Sequence, residues 1–270
     1  MKYRYISDSH THSENSFDGN DSIIMMSERA ANIGLYSITV TDHCECQEYF
    51  EKNYRDTVSK SIFDISKARA LYHGKLQIFT GIELGQPTQN IMAAEDALSL
   101  ADYDFVLGSL HNLKGEEDFY FLNYTEENVP ILLERYFNEL LELACQNKFD
   151  SLAHMTYPLR YMVGISNLKD SFDKFSEIID EILLTIIHNR KALEVNTSGL
   201  RQKIGKTLPD EQIVKRYLKL GGKYVTVGSD AHRWGDIGSG IEEGLSMLLK
   251  CGFTHFTVFD KHEPQLLPIK

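Results

Sequence analysis

Cysteine is scarce and unevenly placed, with Cys44, Cys46, Cys145 and Cys251 the only four in 270 residues. That excludes a disulfide framework and fits a reduced compartment. Cys44-Glu45-Cys46 has no second cysteine pair to complete a tetrahedral metal site. Basic residues are also in deficit, 28 against 39 acidic ones, for a net charge of −11. A field of that sign repels polyanions, and no basic stripe interleaved with aromatics offsets it, so a nucleic-acid polymer is excluded as a partner. No apolar run reaches the length of a bilayer and no basic-then-apolar leader opens the chain, so no membrane association and a cytoplasmic location are expected. Proline-rich linkers, low-complexity runs and short repeats are absent too, and one domain over residues 1–270 is expected.

What is present is an alternation. Short β-branched and aromatic runs at 3–7, 35–40, 76–82, 103–110, 149–153, 192–196 and 223–229 read as strands. Between them lie amphipathic stretches at 23–33, 56–72, 89–101, 125–147, 171–189 and 209–220, with Ser22 and Thr125 as caps and Pro209 in a first helical turn. Residues 155–168 read as a loop. A helix over 241–250 and a last run, 254–259, supply an eighth strand. Strand and helix in turn predict βα units around a parallel sheet.

The strands end alike. The first leads into His10 and His12, and the others into His43, Glu83, His111, His154, and Asp230 with His232; Asp18 lies in the first loop. Positions i and i+2 of an extended segment face one side, so His10 and His12 can address one ion. Polar groups at every strand end favour a closed (β/α) barrel of seven or eight mainly parallel strands, whose C-terminal ends converge on one mouth. So many imidazoles and carboxylates together require cations, and this donor set suits Zn, Mn or Fe. Such ions lower the pKa of bound water to about 7 and clamp phosphoryl oxygens, which makes hydrolysis the natural chemistry. His73, His188, His255 and His262 have no such company and read as solvated or capping residues.

In order, HxH, a loop Asp, TDH, IExG, SxH, xAH and SDAH resemble the polymerase and histidinol phosphatase superfamily, the PHP domains, over nearly the whole chain. Asp8-Ser9-His10-Thr11-His12, Gly108-Ser109-Leu110-His111 and Glu194-Val195-Asn196-Thr197-Ser198-Gly199 resemble its monofunctional histidinol-phosphate phosphatases. The resemblance implies a distorted barrel, usually seven-fold, with three divalent metal ions. The first would take His10, His12, Glu83 and Asp230; Glu83 would bridge to a second on His111 and His154; the third would take Asp18, His43 and His232. Many relatives have histidine where Asp18 stands. It further implies hydrolysis of a small molecule, L-histidinol phosphate, in histidine biosynthesis, by a water or hydroxide between the first two ions.

Arg160 is expected to clamp the phosphate, because guanidinium meets phosphate bidentately, with Arg201 second. Glu194 and Asn196 share a strand face and are expected either to orient substrate or to support the ligands. Asp42 could fix a neighbouring histidine's tautomer, His232 could protonate the leaving alkoxide, and Tyr157, Tyr161 and Met162 could wall the substrate. The alternatives are a nucleotide phosphatase or phosphodiesterase of the same superfamily, an amidohydrolase, which would place lysine rather than Glu83 at the bridge, and a non-catalytic metal-binding domain.

Overall fold

Seven strand positions, all joined in parallel, curl into a nearly closed barrel in the computed structural model, which describes residues 2–166 and 168–270. The strands are β1 (Ser7–Thr11), β2 (Ser37–Val40), β3 (His43–Glu45), β4 (Gln77–Gly85), β5 (Phe105–Ser109), β6 (Ser151–Leu152), β7 (Ala192–Asn196) and β8 (Val225–Gly228). The order is β1-β2-β4-β5-β6-β7-β8, with β3 resuming beside β4 after β2 breaks at Thr41-Asp42. Beyond the last strand the backbone closes the ring. Asp230 N–H donates to the His10 carbonyl at 2.9 Å and His12 N–H to the Ala231 carbonyl at 2.8 Å.

Around the sheet run α1 (Ile23–Asn32), α2 (Tyr54–Leu71), α3 (Ile91–Leu98), α4 (Val129–Gln146), α5 (Leu168–Asp173), α6 (Ser176–His188), α7 (Glu211–Lys219) and α8 (Ile241–Cys251). Ser22 caps α1 through the Met25 N–H as expected. Pro209 falls outside α7, whose cap is Asp210, accepting from Gln212 and Ile213. Of the expected loop 155–168, Tyr157–Arg160 forms a tight 3-10 turn and residue 167 lies outside the described residues.

The expected eighth strand is not a stave of the barrel. It forms β9 (His255–Asp260), pairs antiparallel with β10 (Glu263–Pro268), and sends Phe259 against Phe105 at 5.4 Å between ring centroids. Phe105, Leu107, Ala153, Ala192 and Phe259 form a small apolar cluster of their own, inside the barrel. Their strand neighbours Val106, Leu152, Leu193 and Val195 join the larger core under the helices. Since alternate residues face opposite sides, the inward series continues from Phe105 and Leu107 through Ser109 to His111, and from Ala192 through Glu194 to Asn196. The interior is therefore apolar at the strand starts and ionisable at the strand ends.

Candidate active site

Each strand delivers its side chain where the backbone leaves the sheet. His10 and His12 come from the end of β1, His43 and Glu45 from β3, Glu83 from β4, His111 from beyond β5, His154 from beyond β6, and Asp230 and His232 from beyond β8. His154 and Asp230 take positive φ, 46° and 55°, sharp bends that aim both side chains over the mouth.

Glu83, fully buried, is the centre. Its Oε1 lies 3.1 Å from His111 Nε2 and 2.9 Å from His154 Nε2. Its Oε2 lies 3.4 Å from His10 Nε2, 3.5 Å from His12 Nε2 and 3.0 Å from His43 Nδ1. The two oxygens thus serve two groups of histidines. Asp230 Oδ1 joins the first group, 3.8 Å from His10 Nε2 and 3.5 Å from His12 Nε2. Asp18 reaches in from its loop, 3.7 Å from His43 Nε2 and 3.1 Å from His232 Nε2. All nine expected ligand positions therefore meet in one place.

Burial alone would lower the pKa of His10, His12, His43, His111 and His154. At His10 the carboxylates of Glu194, Glu83 and Asp230 outweigh it and raise the pKa well above the usual value. At His111, Glu45 and Glu83 do the same, to about 10. Burial prevails at His12, beside His43 and His232, and at His154, and lowers both. Conversely, burial would raise the carboxylates, yet the histidines hold Glu83 and Asp230 well below the ordinary range and Asp18 at about 2.

Those pairings do not use every atom. Among the described residues, His10 Nε2, His12 Nε2, His43 Nδ1 and Glu83 Oε2 are buried without a hydrogen-bond partner. A buried polar atom left so costs about 1–3 kcal/mol, and four around one point fit a missing cation. Three overlapping sets, His10-His12-Glu83, His43-Glu83-His111 and His12-His43-His232, each hold their donor atoms within 4.8 Å of one another. Nitrogen with carboxylate is the donor chemistry of Zn, Mn or Fe.

A cavity of about 760 Å³ opens over the cluster, and Arg160, Tyr157 and Tyr161 line it. Arg160 is 8% exposed at its side chain, stacks 4.6 Å from the Tyr157 ring centroid, and sets Nη2 3.5 Å from Asp230 Oδ2. Its buried Nε has no hydrogen-bond partner among the described residues. Met162, by contrast, is packed in the core and not in the wall.

Four other expected residues have different surroundings. Arg201 is not among the cavity-lining residues; it donates to the Asp230 carbonyl at 2.8 Å, holding the bend rather than facing the cavity. Glu194 and Asn196 are fully buried beneath the ligands. Glu194 Oε1 meets His10 Nδ1 at 2.6 Å, and Asn196 donates to Asp230 Oδ2 at 3.3 Å, so the supporting alternative describes them and the substrate-orienting one does not. Asp42 accepts from Ser13, Ser16 and Ser61 instead of a histidine; Ser16 Oγ in turn lies 3.3 Å from His12 Nδ1.

Sequence reading missed Glu45, two residues after His43 on one strand face, a spacing that could have revealed it. It also missed the aromatic and acidic rim, Phe17, Glu116, Glu117, Asp118, Tyr120 and Phe121, which no periodicity marks.

A family model, the PHP domain, matches residues 8–198. The probable histidinol-phosphatase of Thermotoga maritima is 31% identical over 262 residues, covering 94% of this chain and 96% of its own. The histidinol-phosphatase of Lactococcus lactis is 28% identical, with 93% of each chain covered. A crystal structure of the histidinol phosphate phosphatase of Lactococcus lactis, complexed with Zn, L-histidinol and phosphate, superposes with a TM-score of 0.73 at 22% identity, covering 96% of this chain and 98% of that one. With its strand-end histidines and carboxylates, its barrel and these matches, the chain belongs to the PHP domain family.

Proposed function

We propose that this chain is a metal-dependent phosphomonoesterase that hydrolyses L-histidinol phosphate to L-histidinol and phosphate, working as one domain over residues 1–270. The observation that carries the reaction type is the ring of unpartnered donor atoms around Glu83, set at the floor of a cavity whose wall holds a desolvated arginine. The substrate follows from the relatives' names and from their match over almost the full length.

His10, His12, Glu83 and Asp230 would hold one divalent ion, Glu83, His111 and His154 a second, and Asp18, His43 and His232 a third, with Zn, Mn or Fe all compatible. The chemistry supplied by ions bound there is activation of water at neutral pH and neutralisation of phosphoryl charge. Glu83 keeps one oxygen for each of two histidine groups and so fixes their separation. His232 donates Nδ1–H to the Asp230 carbonyl at 3.0 Å, which leaves Nε2 as its lone pair beside Asp18 and favours a ligand over a proton donor. Arg160 lines the cavity and would offer guanidinium N–H groups to phosphate, and the Tyr157 face beneath it keeps the guanidinium in place. Because Arg160 is already desolvated and oriented, little reorganisation opposes its stabilisation of the developing charge.

The test is phosphate release from L-histidinol phosphate, beside a mononucleotide and an aryl phosphate, with and without a chelator. Chelator-sensitive preference for histidinol phosphate is expected. Equal slow turnover of all three would keep the phosphoesterase and discard the substrate; none after reloading with Zn, Mn or Fe would discard both.

A further inference from the structure

Glu45 is a buried carboxylate beside the cluster to which the proposed reaction gives no task. It ends β3, two residues after His43 and on the same face, and it is 5% exposed. Its Oε1 lies 3.1 Å from His43 Nδ1 and 3.1 Å from His111 Nδ1. Its Oε2 accepts from Gln86 Nε2 at 2.9 Å, and Gln86 is tied in turn to Asn112 Oδ1.

The seat is shaped for this side chain. Glu45 pairs with Gly85 across β3 and β4, and a Cβ on Gly85 would stand 2.2 Å from Glu45 Oε2. Glycine there leaves the volume to the carboxylate. Gln86, the next residue, is fully buried and adopts a φ of 48°, which brings its amide back over the same oxygen.

We propose that Glu45 is a positioning residue, which accepts from Nδ1 of His111 and thereby presents its Nε2 atom to the metal. The distances agree with that division. On the side away from Glu45, His111 Nε2 faces Glu83 Oε1 at 3.1 Å and His154 Nε2 at 3.4 Å. An imidazole that donates from one nitrogen keeps its lone pair on the other, and a carboxylate behind a ligating histidine fixes its tautomer and raises its basicity. Glu194 stands in the same relation to His10. Glu45 differs in being tied on its other oxygen to Gln86. This role rests on the proposal that the cluster binds metal.

The experiment measures zinc affinity, by competition with a chromophoric chelator, for the unaltered chain, Glu45→Ala, Glu45→Gln, Gly85→Ala and the Glu45→Ala/Gly85→Ala pair. Glu45→Ala should weaken zinc by roughly 10- to 100-fold. Glu45→Gln keeps an acceptor oxygen and should recover part of that loss. Gly85→Ala displaces the carboxylate and should weaken zinc alone, yet add nothing to Glu45→Ala, since both remove one interaction. Undiminished zinc affinity in Glu45→Ala, or losses that simply add in the pair, would overturn the role. Failure of the unaltered chain to bind zinc would overturn the metal reading and this role with it.

Discussion

Arg160 and Glu194 divide the labour between the cavity and what lies beneath it. Arg160 lines the cavity beside Asp230, so Arg160→Ala should lower kcat/KM for histidinol phosphate by roughly 10²- to 10³-fold, as for loss of a donor to transition-state charge. Arg160→Lys keeps the charge without the fork and should fall between. Steady-state kinetics decide it, and equal kcat/KM in Arg160→Ala and the unaltered enzyme would remove the clamp. Glu194 is hydrogen-bonded to His10 Nδ1 and Asn196 beneath the ligands, so its loss should act through metal. Glu194→Ala is expected to cost zinc affinity roughly 10- to 100-fold, and kinetics at saturating zinc should recover much of the activity. At this scale the sequence was informative about residue type and weak about direction. Arg201 and Arg160 are both loop arginines after a strand; only the bend at Asp230, which Arg201 holds through its carbonyl, separates their tasks.

Strand composition explains which elements could be read in advance. β-branched and aromatic runs, with helical spacing between the strands, mark β2, β4, β5, β6, β7 and β8, whereas the first run, expected at 3–7, ends where β1 (Ser7–Thr11) begins, because β1 itself has no apolar side chain. Short β3 was less legible, because three residues carry no periodicity. The β9 run has strand composition without a polar end, and its partner β10 contains Pro264 and Pro268, so composition alone hid the hairpin. Face predicts the effect of adding a methyl group. Gly108 points outward, where a Cβ would meet the Phe149 ring at 2.8 Å; Gly228 points inward, where it would meet His10 Cβ at 2.3 Å and Glu194 Oε1 at 2.6 Å. Gly108→Ala should therefore cost about 1–3 kcal/mol of stability by overpacking while leaving zinc affinity intact. Gly228→Ala should lose zinc affinity as well. Urea unfolding with zinc titration of both variants distinguishes them, and equal zinc affinities would contradict the inward face.

At the scale of the whole molecule, the negative charge and the cluster act together. Fold class, parallel order and the meeting of the strand ends follow from alternation along the chain, whereas the rim of the cavity comes from the excursion at 112–124, whose shape depends on contacts far away in sequence. What the molecule does without metal can still be reasoned from its protons. His111 is raised to about 10, so it carries a proton across neutral pH and a cation must displace it. That proton contributes stability to the metal-free fold fully below the ordinary histidine value near 6.5, and the contribution is lost as pH rises through about 10. Asp18, lowered to about 2, behaves oppositely: its contribution is present above the ordinary value of 3.8 and lost as pH falls through about 2. Between pH 6 and 8 the carboxylates stay ionised, and competition at the imidazoles sets the change. Zinc should therefore bind more tightly at pH 8 than at pH 6, with proton release, and should raise the unfolding temperature more at pH 8, because bound ligand stabilises by RT ln(1 + [L]/Kd). Thermal unfolding at both pH values, with and without a fixed excess of zinc, measures the difference. An equal or larger zinc increment at pH 6 would mean that the imidazoles of this cluster are not what the metal displaces protons from.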